Sequence, residues 1–212
     1  MPRKKTFRTA DYPYHVTARS SNQEWFYLPM DQVWQIFMNY LWFISETYKV
    51  RIHAFVLMDN HFHLLIRTPE ANIDEAMHYL LREVSKTIGI ESNRKNHIFG
   101  GPYHWSVIKN SIYYHHAYKY VYRNPVHAGI CKRAEDYPYS TLRGLLGRDQ
   151  LLLPVADNMC LIQDAYRQLE WINRDFKSED QTAIRTALRH REFSFPKEPS
   201  TGRKHHLESQ VV

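Results

Sequence analysis

The segment from Val50 to Arg67 constrains the fold more than any other. It reads as two alternating apolar runs, Val50–Met58 and His61–Arg67, separated only by Asp59-Asn60. Both turn residues tolerate positive φ, so two residues suffice to reverse the chain. Strands joined that tightly are antiparallel neighbours. Alternation places Val50, Ile52, Ala54, Val56 and Met58 on one side of the first run. Before this hairpin, Tyr14–Arg19 is a β-rich run stopped by Ser20, Ser21 and Asn22. Val33, Trp34, Ile36, Phe37, Tyr40, Leu41 and Ile44 then recur every three or four residues, which predicts a helix from about Asp31 to Tyr48. After the hairpin, Asn72 and Glu75 have capping-box spacing. They open a helix carrying Ala76, Met77, Leu80, Leu81, Val84 and Ile88. Gly100-Gly101-Pro102 reads as a turn, Trp105–Lys109 as a fourth strand, and Ile112 onward as a helix that Pro125 is expected to fray or end near Asn124.

The order β-α-β-β-α-β-α predicts an α+β fold, a ferredoxin-like antiparallel sheet covered by helices. Composition shifts after Gly147, which divides the chain into a domain at 1–148 and a helical C-terminal extension at 149–212. In the extension, Asn158–Phe176 and Ser178–Arg191 read as helices, with Ser178 and Gln181 spaced to cap the second. The end, from Phe195, is rich in Pro, Lys and His and is expected to be flexible and basic.

A chain of 212 residues buries a core without staples. Its two cysteines, Cys131 and Cys160, are too few for a disulfide framework or a Cys-based zinc site. No apolar run approaches the roughly 18 residues of a membrane span. The basic start Met1-Pro2-Arg3-Lys4-Lys5 lacks the apolar stretch of a signal peptide. A cytoplasmic protein with no membrane partner is therefore expected. Lys+Arg exceeds Asp+Glu, 28 against 22, and aromatics reach 14%. Positive charge attracts phosphates and aromatic faces stack on bases, a pairing that suits single-stranded nucleic acid. A basic surface around an aromatic core reads the same way. Candidate phosphate contacts are Arg3, Lys4, Lys5 and Arg8 as an N-terminal arm, with Arg19, Arg94, Lys95, Lys132 and Arg133. Each also reads as an ordinary solvated charge.

Two features carry chemistry. In His61-Phe62-His63, residues two apart on a strand share a face, so both imidazoles point one way and Phe62, Leu64 and Ile66 the other. Such a pair can hold one divalent metal, or it can be two packed strand residues. In Tyr120-Val121-Tyr122-Arg123-Asn124, a helix stacks Tyr120 above Asn124. A tyrosine hydroxyl can be a nucleophile and an amide oxygen can ligate a hard cation. Tyrosines at helical spacing also simply pack. His15 stands on the first strand, within reach of the pair or serving structure alone.

Three blocks together are more specific. Tyr14-His15-Val16-Thr17-Ala18-Arg19, Val56-Leu57-Met58-Asp59-Asn60-His61-Phe62-His63-Leu64-Leu65 and Tyr120-Val121-Tyr122-Arg123-Asn124-Pro125-Val126-His127-Ala128-Gly129 resemble the HUH single-tyrosine transposases. The branch they resemble is that of the REP-associated tyrosine transposases, relatives of bacterial insertion-sequence transposases. Asp136-Tyr137-Pro138-Tyr139-Ser140 is similar to the segment that follows in that family. The resemblance spans roughly residues 12 to 147 and departs at turn positions, where the family often has Pro at Asp59 and Gly at Ser20 or Ser21. It implies the HUH endonuclease fold and Mg²⁺ or Mn²⁺ held by His61 and His63, with Asn124 as third ligand. It makes Tyr120 the nucleophile of phosphodiester transesterification on single-stranded or hairpin DNA, through a 5′-phosphotyrosine. It implies a monomer or homodimer working at the bacterial nucleoid. The competing readings are a non-catalytic binder of structured nucleic acid on the same fold, and a metal-dependent nuclease that uses water.

Overall fold

A computed structural model describes residues 8–95, 97–156, 164–197 and 202–210. The elements run β1 (Tyr14–Arg19), α1 (Met30–Thr47), β2 (Arg51–Leu57), β3 (His61–Arg67), α2 (Ile73–Glu91), β4 (His104–Val107) and α3 (Ser111–His127). They continue as α4 (Thr141–Leu145), α5 (Ala165–Asn173) and α6 (Ser178–Ala187). The four strands form one sheet in the order β2-β3-β1-β4, antiparallel at every junction. This is the α+β architecture that the hairpin and its flanking helical periods predict. None of the described helices is long and apolar enough to cross a membrane.

The pleat sorts side chains into two cores. Tyr14, Val16 and Ala18 of β1 and Phe62, Leu64 and Ile66 of β3 face α1 and α2. There Phe37 packs on Phe55 and Phe62 with ring centroids 5.4 Å apart in each pair. The opposite face of the sheet carries Ala54, Val56 and Leu65, which pack with Ala117, Tyr118 and Val121 of α3. Ile172 of α5 and Ile184 of α6 complete that second core.

Strict alternation fails in β2. A bulge lies between Ile52 and Ala54, which pair with the consecutive residues Ile66 and Leu65. His53 is the extra residue, and one unpaired residue turns the rest of the strand over. Val50 and Ile52 therefore share a core with Phe55 and Leu57, while Ala54, Val56 and Met58 face α3.

Local chemistry differs from expectation at four other places. The Asp59-Asn60 reversal closes with Met58 N–H donating to the His61 carbonyl at 2.8 Å, yet neither turn residue adopts positive φ. Asn72 stands at the α2 N-cap without capping it; its Nδ2 donates instead to the Tyr48 carbonyl at 2.9 Å, tying the end of α1 to the start of α2. Lys177, not Ser178, is the α6 N-cap, and no side chain caps that end. Helix α3 runs through Pro125 to His127. The Pro125 carbonyl accepts from Ile130 N–H at 2.9 Å and the Val126 carbonyl from Gly129 N–H at 3.0 Å. With Gly129 at φ 71°, this is a complete Schellman ending that stabilises the turn containing the proline.

In the extension, α5 is shorter than the helix predicted from Asn158 to Phe176; positions 157–163, including Cys160, lie outside the described residues. Helix α6 stops at Ala187 rather than Arg191. The chain then turns to bond β4: Val107 N–H donates to the Arg191 carbonyl and Phe193 N–H to the Val107 carbonyl. Where composition predicted a flexible end from Phe195, Phe195 and Leu207 are buried in the α3 core.

Candidate functional site

His61 and His63 stand on the α3 side of β3 because Phe62 and Leu64 take the opposite side. Across the ladder, Thr17 pairs with His63 and Arg19 with His61. The two imidazoles are 5.1 Å apart between centroids and nearly perpendicular. Each has one nitrogen engaged. The Asn60 Oδ1 lies 2.7 Å from Nδ1 of His61 and can only accept, so that Nδ1 carries the proton and Nε2 keeps its lone pair. His63 Nδ1 lies 2.9 Å from Nε2 of His15. His15 thus touches the pair directly, its ring stacked on His63 at 5.1 Å.

Burial keeps these rings neutral. It pushes His61 down to about 4, with Arg19 adding to the effect, and His15 down to about 3, with His104 adding. His63 is held well below the ordinary imidazole value by burial, and then by His15 and His61. Neutral imidazole is the form that binds metal.

Tyr120 projects from α3 against this pair. Its ring meets His63 edge-on at 5.7 Å between centroids and His15 at 6.4 Å. Burial raises the phenol pKa, while Arg185, Arg189 and Arg19 pull it back in part. One turn on, Asn124 lines the same cleft. Its Nδ2 donates to the Tyr120 carbonyl at 2.9 Å, which leaves Oδ1 as the end that can meet a cation. The Asn110 side chain caps α3 by accepting from Tyr113 N–H at 2.8 Å.

His61, His63, Tyr120 and Asn124 open together on one cleft of about 760 Å³. Among the described residues its walls include Arg19, Arg185 and Arg189 and no carboxylate. A space lined this way favours a polyanion.

The other basic residues named from sequence scatter. Arg19 lines the cleft and donates to Gln23 Oε1 at 3.2 Å. Arg94 and Lys95 line a neighbouring groove along α2 with Arg82 and Lys86, and both clefts share Gly101 and Pro102. Arg94 lies 3.5 Å over the Tyr27 ring. Arg8 is paired with Asp74, and Arg133 with Glu135 and Glu170. Lys132 is exposed beyond the end of α3. Arg3, Lys4 and Lys5 lie outside the described residues.

Sequence reasoning missed the far wall. Gln181, Arg185 and Arg189 of the extension line the cleft opposite the sheet. Their four-residue spacing is legible as one helical face. Nothing local says that this face returns to Tyr120, because the docking is set by the core on the other side of α6.

The antiparallel sheet thus offers paired imidazoles to a tyrosine-bearing helix. A solved structure, described as a REP-associated tyrosine transposase bound to a REP hairpin, aligns with a TM-score of 0.57 and 24% identity, covering 70% of this chain and 87% of that one. The family model described as Transposase IS200 like matches residues 9–124, more than half of the chain. The chain belongs to the IS200-like transposase family. It is 33% identical over 99 residues to the REP-associated tyrosine transposase of Escherichia coli (strain K12). That match covers 46% of this chain and 58% of the relative, so the chain spans little more than half the length of the curated relative it matches.

Proposed function

We propose that this protein cleaves and rejoins single-stranded DNA at hairpin, REP-like sites, with Tyr120 as nucleophile. The observation that carries the reading is the edge-on approach of Tyr120 to His63 within an arginine-walled cleft that holds no carboxylate among the described residues. The unit at 1–148 would supply the reacting groups, and 149–212 would close the cleft.

The residues present fit a divalent cation. His61 Nε2 is free to ligate, the His63 ring is neutral with its Nδ1 against His15, and Asn124 Oδ1 supplies a hard oxygen. Mixed nitrogen and oxygen donors suit Mg²⁺ or Mn²⁺. When bound, such an ion polarises the scissile phosphate and stabilises charge that develops on it.

The Tyr120 oxygen attacks phosphorus as the bond to the 3′ oxygen breaks. The phenol proton passes through solvent to the departing 3′ oxygen, so that strand ends as a 3′-hydroxyl. The new 5′-phosphotyrosine bond conserves the energy of the one broken. A second 3′-hydroxyl then attacks it, rejoins the strands and returns the phenol. Burial keeps Tyr120 protonated at rest. The α2 groove with Arg82, Lys86, Arg94 and Lys95 meets the cleft at Gly101-Pro102, which supports a hairpin stem on one side and its single-stranded flank on the other.

The test is incubation with a labelled single-stranded hairpin and Mg²⁺ or Mn²⁺, followed by denaturing electrophoresis. A covalent protein–DNA adduct is expected from wild type and none from Tyr120→Phe, with hairpin affinity nearly unchanged. Salt-dependent binding with no adduct under either metal would establish a binding-only protein. Cleavage that persists in Tyr120→Phe without an adduct would establish a water-using nuclease.

A further inference from the structure

Helix α6 lies beyond the residues that match the family model, yet it forms one wall of the Tyr120 cleft. Its rotation is fixed from behind. Ala183, Ile184 and Ala187 are buried in the α3 core, and Leu188 follows them. At its first turn, His206 Nε2 lies 2.9 Å from the buried Asp180 carboxylate, which ties the segment after 202 to the helix. The face left for the cleft carries Gln181, Arg185 and Arg189, four residues apart.

The two guanidiniums differ from the arginines that ion pairs hold in place. Arg8, Arg123, Arg133 and Arg143 are each paired with a carboxylate. Arg185 and Arg189 are exposed, and neither forms an ion pair among the described residues. Both open on the same cleft as Tyr120. Among the described residues no acid lines the cleft to offset them. Four helical residues advance about 6 Å along the axis, a separation comparable with that of neighbouring phosphates on an extended strand.

We infer that α6 is a phosphate clamp: Arg185 and Arg189 grip successive backbone phosphates of a single DNA strand and hold it against Tyr120. This rests on the strand-transfer reading of the same cleft. It adds that the extension, rather than the sheet, supplies the grip. Arg185 and Arg189 are positioning residues. They bind phosphates flanking the bond that breaks, so they set the register of the strand over the phenol.

The test uses the full-length protein and a fluorescent oligonucleotide with a hairpin and a single-stranded flank, in buffer with chelator so that no chemistry occurs. Affinity is measured across a salt series for wild type, Arg185→Gln with Arg189→Gln, and Arg185→Lys with Arg189→Lys. Each lost phosphate contact to a single strand lowers the slope of log affinity against log salt by about 0.7, so the double Gln variant is expected to lose about 1.4. The double Lys variant keeps the slope. A second probe set carries one neutral methylphosphonate at successive flank positions. Two adjacent positions are expected to weaken wild type and leave the double Gln variant indifferent. Thermal unfolding of each variant checks that α6 stays docked. An unchanged salt slope and an unchanged methylphosphonate profile in a folded double Gln variant would overturn the clamp. Absence of adduct in wild type with metal would instead defeat the strand-transfer reading while leaving the clamp measurable.

Discussion

Replacing Arg123 with Ala separates a structural arginine from a DNA-binding one. Arg123 sits between Tyr120 and Asn124 in sequence, on a basic, aromatic helix. Its side chain is 2% exposed and directed away from the cleft, into α5. The guanidinium donates to the Ile172 carbonyl at 3.3 Å, to the Asn173 carbonyl and to the Asp175 carboxylate. Asp175 is 88% exposed, so that ion pair contributes at most about 1 kcal/mol. Hydrogen bonds from a charged donor contribute about 1.5–3 kcal/mol each. With the long Ile172 bond taken at the low end, Arg123→Ala is expected to cost about 4 kcal/mol, a large share of the roughly 5–15 kcal/mol that holds a domain together. Urea unfolding reads this directly: with a slope near 2 kcal/mol per molar, the midpoint falls by roughly 2 M. Arg123→Lys keeps the charge but not the fork and is expected to fall between the two. A variant that unfolds within about 1 kcal/mol of wild type, yet binds hairpin DNA weakly with a shallower salt dependence, would refute the assignment and move Arg123 to the DNA.

Four other outcomes are expected. Thr141 Oγ1 accepts from Phe55 N–H at 2.9 Å and bonds the Tyr122 hydroxyl at 3.0 Å, all buried, so Thr141→Val strands a backbone donor and costs about 1–3 kcal/mol in the same unfolding assay. Gly129→Ala forces a side chain into φ 71° and costs about 1–2 kcal/mol, with Gly129→Asn recovering part of it. Burial lowers His53 to about 4, and its Nδ1 lies 2.9 Å from the Tyr114 hydroxyl. Its folded pKa is below the unfolded value near 6.5, so folding favours the neutral ring and stability is lost as pH falls from about 6.5 toward 4, by about 1 kcal/mol near pH 5.5. His53→Gln is expected to make that part of the pH–stability curve shallower by this amount, the other buried histidines keeping the rest of the slope. Chelation of divalent ions is expected to abolish the covalent adduct while leaving hairpin binding in place, as read by denaturing gel and by fluorescence anisotropy.

Elements set by their own periodicity were legible. Tyr14–Arg19 is a strand with the expected ends, and α1 and α2 follow the apolar spacing to within a residue or two. The shared face of His61 and His63 follows from a period of two with a buried Phe62 between them. What stayed hidden depends on partners distant in sequence. Asn72 serves the Tyr48 carbonyl rather than its own helix because α1 ends beside it. Pro125 does not end α3, since Gly129 and Ile130 close the last turn from below. Arg123 and Lys119 look like surface charge and are buried because α5 covers them. Lys119 places its Nζ 4.6 Å from the Phe176 ring centre, and burial lowers it to about 8, with Arg123 adding to the effect. The α6 wall was invisible for the same reason: its cleft-facing residues are fixed by apolar neighbours across the core, not by anything adjacent in the chain.

The bulge at His53 has a consequence for how this strand can change over time. One supernumerary residue lets a monotonously alternating segment deliver bulky rings to one helical layer and alanine and valine to the other. Excising it would exchange those two sets, crowding Phe55 under the tyrosine-bearing helix and leaving a void beneath α1. Length changes here are therefore tolerable in twos. A cousin shorter by one residue at this point would have to carry its large and small side chains in the opposite order.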